Sequence, residues 1–287
     1  MFFLIVQCCI SGVLLGAVYI LIAVGLTLIF GVMNISNFAH GTLLMMGMYV
    51  TYWLFTLLGL DPYLGAFISA AALFFLGALI QRYLFHYVMK AHHYTQIILA
   101  FGILIVLENF ALFVWGADFR SVKVDYALSS IELGRFAISV PRLIAFGAAV
   151  SLTGLLYWML KWTDLGLAIR ATAQEERGAR LMGINIGRIQ IIVFGIGSAC
   201  AGFAGALLTP FFYISPDVGN VFLMMAYVIV VLGGMGRFEG ALVGGLIIGV
   251  VESLGAAFMP GSTKGFLIYI IFIVMLLFKP TGLFGRK

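Results

Sequence analysis

Apolar residues run along this chain in long continuous blocks, broken by short polar stretches. Met1 to Leu60 contain no Asp, Glu, Lys or Arg, and Asp61 is the first charged residue. A helix needs about 20 apolar residues to cross a ~30 Å hydrocarbon layer. On that criterion, passes are expected near 8–32, 41–59, 63–82, 95–115, 142–160, 189–209, 221–235, 240–258 and 265–279. The seventh is short and reads as a re-entrant segment or part of a broken helix. An outer-membrane barrel would instead show alternation in segments of about ten residues. The expected fold is therefore all-α: a polytopic transmembrane helical bundle of eight or nine passes, with one or two broken or re-entrant helices. Residues 1–287 form a single membrane domain.

Two polar stretches interrupt the apolar pattern. One, about 116–141, mixes Asp118, Arg120, Lys123, Asp125, Glu132 and Arg135, and Ser121 to Tyr126 alternates like a short strand. The other, about 161–188, is rich in Ala, Glu and Arg from Ala171 to Met182. These are good helix formers, and Gly183 supplies a stop. If all nine segments cross and the N-terminus lies outside, eleven of the 16 basic residues fall on the inside. The positive-inside rule supports that orientation, with the C-terminus inside. The 116–141 stretch is then external and the 161–188 stretch cytoplasmic.

Composition agrees. The chain is 63% hydrophobic and 9% charged, with a mean hydropathy of +1.16. Side chains of that kind cannot cover a soluble core of this size. The 35 glycines and 26 phenylalanines suit closely packed membrane helices with aromatic fillers. Gly197, Ala201 and Gly205 share one helix face, and Gly240/Gly244 and Gly245/Gly249 repeat the device. Cys8, Cys9 and Cys200 lie in apolar runs without metal or redox spacing.

Asn34-Ile-Ser-Asn-Phe-Ala-His-Gly places two amides, a hydroxyl and an imidazole inside the charge-free stretch. Unpaired polar groups in hydrocarbon are costly, so these groups must face protein, a cavity or water. Asn34, Asn37 and His40 are candidates for a polar seam along a substrate path. The alternative, which the residues by themselves favour, is an interfacial turn in which the asparagines cap helices and backbone satisfies His40. A second break, Leu232-Gly-Gly-Met-Gly-Arg-Phe-Glu-Gly, adds Gly233 and Gly234, and paired breaks of this kind point to sites built from discontinuous helices. Glu108 and Glu252 lie within expected passes, where a carboxylate is either functional or held by scaffold. The chain has no phosphate-binding Gly-x-x-x-x-Gly-Lys-Ser/Thr loop, no His-Glu-x-x-His and no Gly-x-Ser-x-Gly. It reads as a non-enzymatic membrane protein with no catalytic residues and no metal ligands.

The run Gly25-Leu-Thr-Leu-Ile-Phe-Gly-Val-Met-Asn-Ile-Ser-Asn-Phe-Ala-His-Gly resembles the opening block of LivH-type permeases. These are membrane subunits of ATP-binding-cassette importers for branched-chain amino acids. Arg170 to Asn185, Val231 to Gly245 and Lys279-Pro-Thr-Gly-Leu-Phe-Gly are similar to later family blocks, in the same order. The resemblance implies a permease subunit in a bacterial inner membrane. It would pair with a LivM-like second permease, two cytoplasmic ATPase subunits and a periplasmic substrate-binding protein, without nucleic acid. ATP and Mg would sit on the ATPase subunits, leaving this chain without a cofactor. The cytoplasmic loop would be a coupling element contacting the ATPase through Arg170, Glu175, Ala179 and Gly183, although Glu175-Glu-Arg departs from the Glu-Ala-Ala pattern of importers generally. The family also includes permeases for urea and short amides, and an ion-coupled secondary carrier using Glu108 and Glu252 is an alternative from another class.

Overall fold

The structure, a computed structural model, describes every residue except 135, 260–263, 280 and 286–287. It opens with the 32-residue helix α1 (Phe2–Met33), followed by α2 (His40–Leu58) and α3 (Pro62–Ile80). Helix α3 continues through a π-helical turn, Gln81–Phe85, into the short α4 (His86–Val88). Next come α5 (His93–Trp115), the antiparallel hairpin β1 (Ser130–Leu133) and β2 (Phe136–Ser139), and α6 (Val140–Trp162). Helices α7 (Asp164–Gln174) and α8 (Glu176–Leu181) lead to α9 (Ile186–Leu208), α10 (Val218–Gly233), α11 (Phe238–Phe258) and α12 (Lys264–Phe278).

All nine expected apolar stretches are helical. Among the described residues, seven helices are long and apolar enough to cross a membrane, while α10 and the last helix are shorter. The short seventh stretch is therefore a real feature of the fold.

Helix α1 is central, packed against α6, α9, α10 and α11. What permits this is the absence of side chains at the crossings. A Cβ on Gly12 would lie 2.6 Å from Val250 Cα, and one on Gly249 would lie 2.5 Å from Gly16 Cα. The other glycine stripes act likewise: Gly197 sits against Ile29 and Gly25, and Gly47 against Gly202. Close backbone approach maximises dispersion contact where lipid offers no hydrophobic driving force between helices. Helix α5 instead lies at the periphery and exposes Ile98, Ile105, Val106 and Phe113, as a lipid-facing helix does.

Two local expectations are corrected. Ser121 to Tyr126 does not form a strand; the hairpin lies further on, at residues 130–139. Alternation in the earlier segment reflects packing on the bundle surface. Val122 is buried while Ser121 and Lys123 are exposed, and no neighbouring strand runs alongside to pair with it among the described residues. The helix expected over Ala171 to Met182 is two helices broken at Glu175, and the first begins earlier, at Asp164. Thr163 Oγ1 accepts from Gly166 N at 3.1 Å, setting that start. Glu175 turns extended, and its carboxyl oxygen caps α8 by accepting from Arg177 N at 3.3 Å.

Candidate substrate path and coupling face

Helix α1 stops because Asn34 adopts the left-handed conformation (φ 53°), with its N–H on Phe30 O at 2.8 Å. Asparagine tolerates this geometry better than other non-glycine residues. The chain from Ile35 to Ala39 then doubles back along α1. His40 Nε2 lies 3.0 Å from the carbonyl oxygen of Ile22, so α2 starts beside the middle of α1, about 16 Å of helix from its end. Ile35, Asn37, Ala39 and His40 are all fully buried. Part of this matches the capped-turn reading, since Asn37 Oδ1 accepts from Ala39 N at 3.2 Å. The location does not, because the turn lies inside the bundle.

A carbonyl only accepts, so Nε2 of His40 carries the proton in this bond. Nδ1 of His40, Nδ2 of Asn37 and the Tyr227 hydroxyl are buried without hydrogen-bond partners among the described residues. Phe38, in the same segment, is stacked on Phe101 of α5 at 4.3 Å and on Tyr227 of α10 at 5.0 Å. Orphaned polar atoms at such depth are uncommon and mark a place where water or a polar ligand would be held. Asn34, Asn37 and His40 are thus brought into one segment, but only Asn37 and His40 are buried in the interior.

The other candidates lie elsewhere. Glu252 on α11 is buried and accepts from the Tyr19 hydroxyl on α1 at 2.5 Å. Glu108 is half-buried on peripheral α5 and makes no hydrogen bond or ion pair among the described residues. Gly233 packs against the backbone of Gly240 in the turn from α10 to α11. The C-terminal segment covers this turn, with Leu283 N on Leu232 O at 2.8 Å and Phe284 N on Gly233 O at 3.2 Å. Gly234 (φ 103°) faces the same segment. The two chain breaks do meet: a Cβ on Gly31 would be 3.4 Å from Gly236 Cα.

At that end of the bundle lie α7 and α8, which carry the residues of the predicted coupling element. Arg170 Nη2 donates to Lys161 O at 3.3 Å. Ala179 is buried, Arg180 and Glu176 pair at 2.9 Å, and Gly183 (φ 85°) ends the element. Leu181 and Met182 at its tip are 88% and 84% exposed. Two adjacent large apolar side chains left this bare form an apolar spot on an otherwise charged surface.

At the opposite end, Arg120 pairs with Ile214 through backbone and lies over the rings of Tyr52 and Trp53 at 5.4 and 5.5 Å. Gln7 Nε2 donates to Ala137 O at 2.6 Å, tying the hairpin to α1. Tyr126 donates to Asp61 Oδ2 at 2.6 Å. Burial, then the hydrogen bond and charge of Asp61, push the Tyr126 phenol above its ordinary range. Sequence reasoning missed Tyr19 as the partner of Glu252. A lone tyrosine in an apolar run carries no signal that pairs it with a residue over two hundred positions away.

A bundle with a discontinuous helix connection buried at its centre, and a charged helical element at one end, defines a multi-pass membrane transport permease. The chain belongs to the family described as branched-chain amino acid transport system / permease component, whose model matches residues 9–276. It is 32% identical to the high-affinity branched-chain amino acid transport system permease protein LivH of Salmonella typhimurium, over 96% of this chain and 94% of that protein. It is 30% identical to BraD of Pseudomonas aeruginosa over the same shares, and 29% identical to a probable LivH of Methanocaldococcus jannaschii over 96% and 91%. No solved structure matches it.

Proposed function

We propose that this chain is the LivH-like half of an importer that moves branched-chain or related small neutral amino acids across the cytoplasmic membrane. A LivM-like permease would complete the pore, and ATP and Mg would be bound by two cytoplasmic ATPase subunits. A periplasmic binding protein would deliver the cargo to the face that carries the hairpin. The N-terminus lies outside and the C-terminus inside, on the strength of the basic-residue distribution.

The observation that carries this proposal is the buried Ile35–Ala39 connection with its unpartnered Asn37 and His40 atoms. A zwitterion with an apolar side chain needs a few fixed dipoles and no net charge along its route, and Met1 to Leu60 supply that. Closure of the ATPase pair would push on α7 and α8, and rocking of the two permease halves would open the path alternately to each side. Specificity between amino acids and urea or short amides would rest mainly with the delivery protein.

The test is uptake into proteoliposomes holding the four membrane and ATPase subunits plus the binding protein. ATP-dependent leucine accumulation that survives collapse of proton and sodium gradients is the expected result. Uptake that follows an ion gradient without ATP would instead support a secondary carrier built around Glu252, and preferential uptake of urea would reassign the cargo within the family.

A further inference from the structure

A cavity of about 430 Å³ opens where α1, α6, α7 and the α10–α11 turn converge. Its rim carries Lys161, Arg170 and Arg237 against a single acid, Glu239. None of these four is in an ion pair among the described residues. Thr27 also lines this cavity; the residue is 2% exposed and its hydroxyl has no hydrogen-bond partner among the described residues. Adjoining it is a second groove of about 290 Å³ between α1, α6 and α11, lined almost wholly by apolar surface from Ala17, Ile20, Val150, Gly154 and Leu242. Tyr157 and Phe238, with ring centroids 5.5 Å apart, line both spaces and form the neck between them.

We infer that this composite groove binds one anionic phospholipid, with its phosphate in the cationic cavity and an acyl chain in the apolar groove. Charge decides the head end, since three cations without an ion-pair partner among the described residues face one carboxylate, and the Thr27 hydroxyl has no hydrogen-bond partner there. Lys161 is poised at the interface, its Nζ 5.6 Å from the rings of Tyr157 and Trp162, the amphipathic placement expected at headgroup level. Length decides the tail end. Val150 to Lys161 spans about 16 Å of helix, which is one leaflet of a ~30 Å hydrocarbon core. A soluble anion would not need the groove, and an apolar helix would not need the cations. Arg170 belongs both to this rim and to the proposed coupling element, so the lipid would sit against α7 and restrain the element that the ATPase moves; that consequence rests on the proposed function, whereas the binding site does not.

The experiment uses the full chain in mixed-lipid nanodiscs and measures tryptophan quenching by brominated phosphatidylglycerol against brominated phosphatidylcholine. Trp158 and Trp162 flank the site on α6. Anionic lipid is expected to quench preferentially. Each of Lys161→Gln and Arg237→Gln should lower that preference about fivefold, from ~1 kcal/mol per basic residue near a membrane surface. Gly154→Leu tests the tail: a Cβ at Gly154 meets nothing within 4 Å, so the variant is expected to fold and, by occupying the groove, to abolish the preference while the cations remain. Equal quenching by the two lipids, or a preference unchanged in Gly154→Leu, overturns the inference. Full displacement by inorganic phosphate would assign the cavity to a free anion and overturn it too. Loss of the preference when the second permease is assembled would give the groove to that protein instead.

Discussion

The Tyr19 hydroxyl donates to Glu252 at 2.5 Å, joining the central helix to α11 inside the bundle. The pair sits where glycine crossings bring those two helices closest, with Gly16 and Gly245 one turn or two away. Tyr19→Phe removes the donor and leaves a buried carboxyl group unsatisfied, at a cost of about 1–3 kcal/mol. Glu252→Gln keeps an acceptor oxygen and should cost less. Thermal unfolding in detergent separates them. Uptake by the Glu108→Gln, Glu252→Gln double variant should stay within about twofold of the parent if neither carboxyl group couples an ion.

Crossings at glycine should be intolerant in proportion to what a Cβ meets. Gly12→Val drives side chain into the Val250 backbone, which lies 2.6 Å from the Cβ position, and overpacking of this sort typically costs about 1–3 kcal/mol or more. Gly102→Val is the control, because nothing lies within 4 Å there. The yield of monodisperse protein should collapse for the first and hold for the second.

His40→Ala removes both the bond to Ile22 O and the unpartnered Nδ1. Uptake should fall at least tenfold while ATPase subunits still co-purify. Uptake within twofold of the parent would make His40 a scaffold residue and take the path elsewhere.

Deleting residues 174–182 removes α8 together with the exposed Leu181 and Met182. The protein should still insert but should no longer co-purify with an ATPase. Gly183→Val, which forces a β-branched residue to φ 85°, should weaken the same interaction by misplacing the end of α8. Normal uptake after the deletion would sink the coupling assignment.

At the end of the bundle that carries the hairpin, Tyr126→Phe should loosen the clasp to Asp61 by about 1 kcal/mol, read as faster protease cleavage within residues 116–129. The pH dependence has a definite sign. The folded-state value for Tyr126 lies above the ordinary one, so its stabilising contribution is fully present below about pH 10 and fades as pH rises further. Protease sensitivity of the parent should therefore increase only in strong alkali, and that increase should be absent in Tyr126→Phe.

Much of the bundle was legible because the bilayer makes a coarse demand. Continuous apolar runs and the polar break at Asn34 to Gly41 follow from the need to satisfy polar and backbone groups within lipid, and the glycine stripes four apart from close helix packing. The strand reading at Ser121 to Tyr126 failed because period-two burial arises equally from a segment lying on a bundle and from a paired strand. The single helix expected over Ala171 to Met182 failed at Glu175, where local capping outweighed the helix propensity of both neighbours. That the turn at Gly233 and Gly234 is bonded to the C-terminal segment, through Leu283 N on Leu232 O and Phe284 N on Gly233 O, had no signal in the sequence.

The charge-free first sixty residues by themselves determined that this chain crosses a membrane repeatedly and that its polar groups there must be held by protein. They also determined which few side chains those are. Only the tertiary structure decided that the break after Met33 folds back to the centre of the bundle, that Glu252 meets Tyr19 while Glu108 meets no partner among the described residues, and that three distant cations share one cavity. Hydropathy is a property of consecutive residues, so it survives in the sequence. Partnership between residues on different helices depends on crossing angle and depth, which are set only when the helices pack.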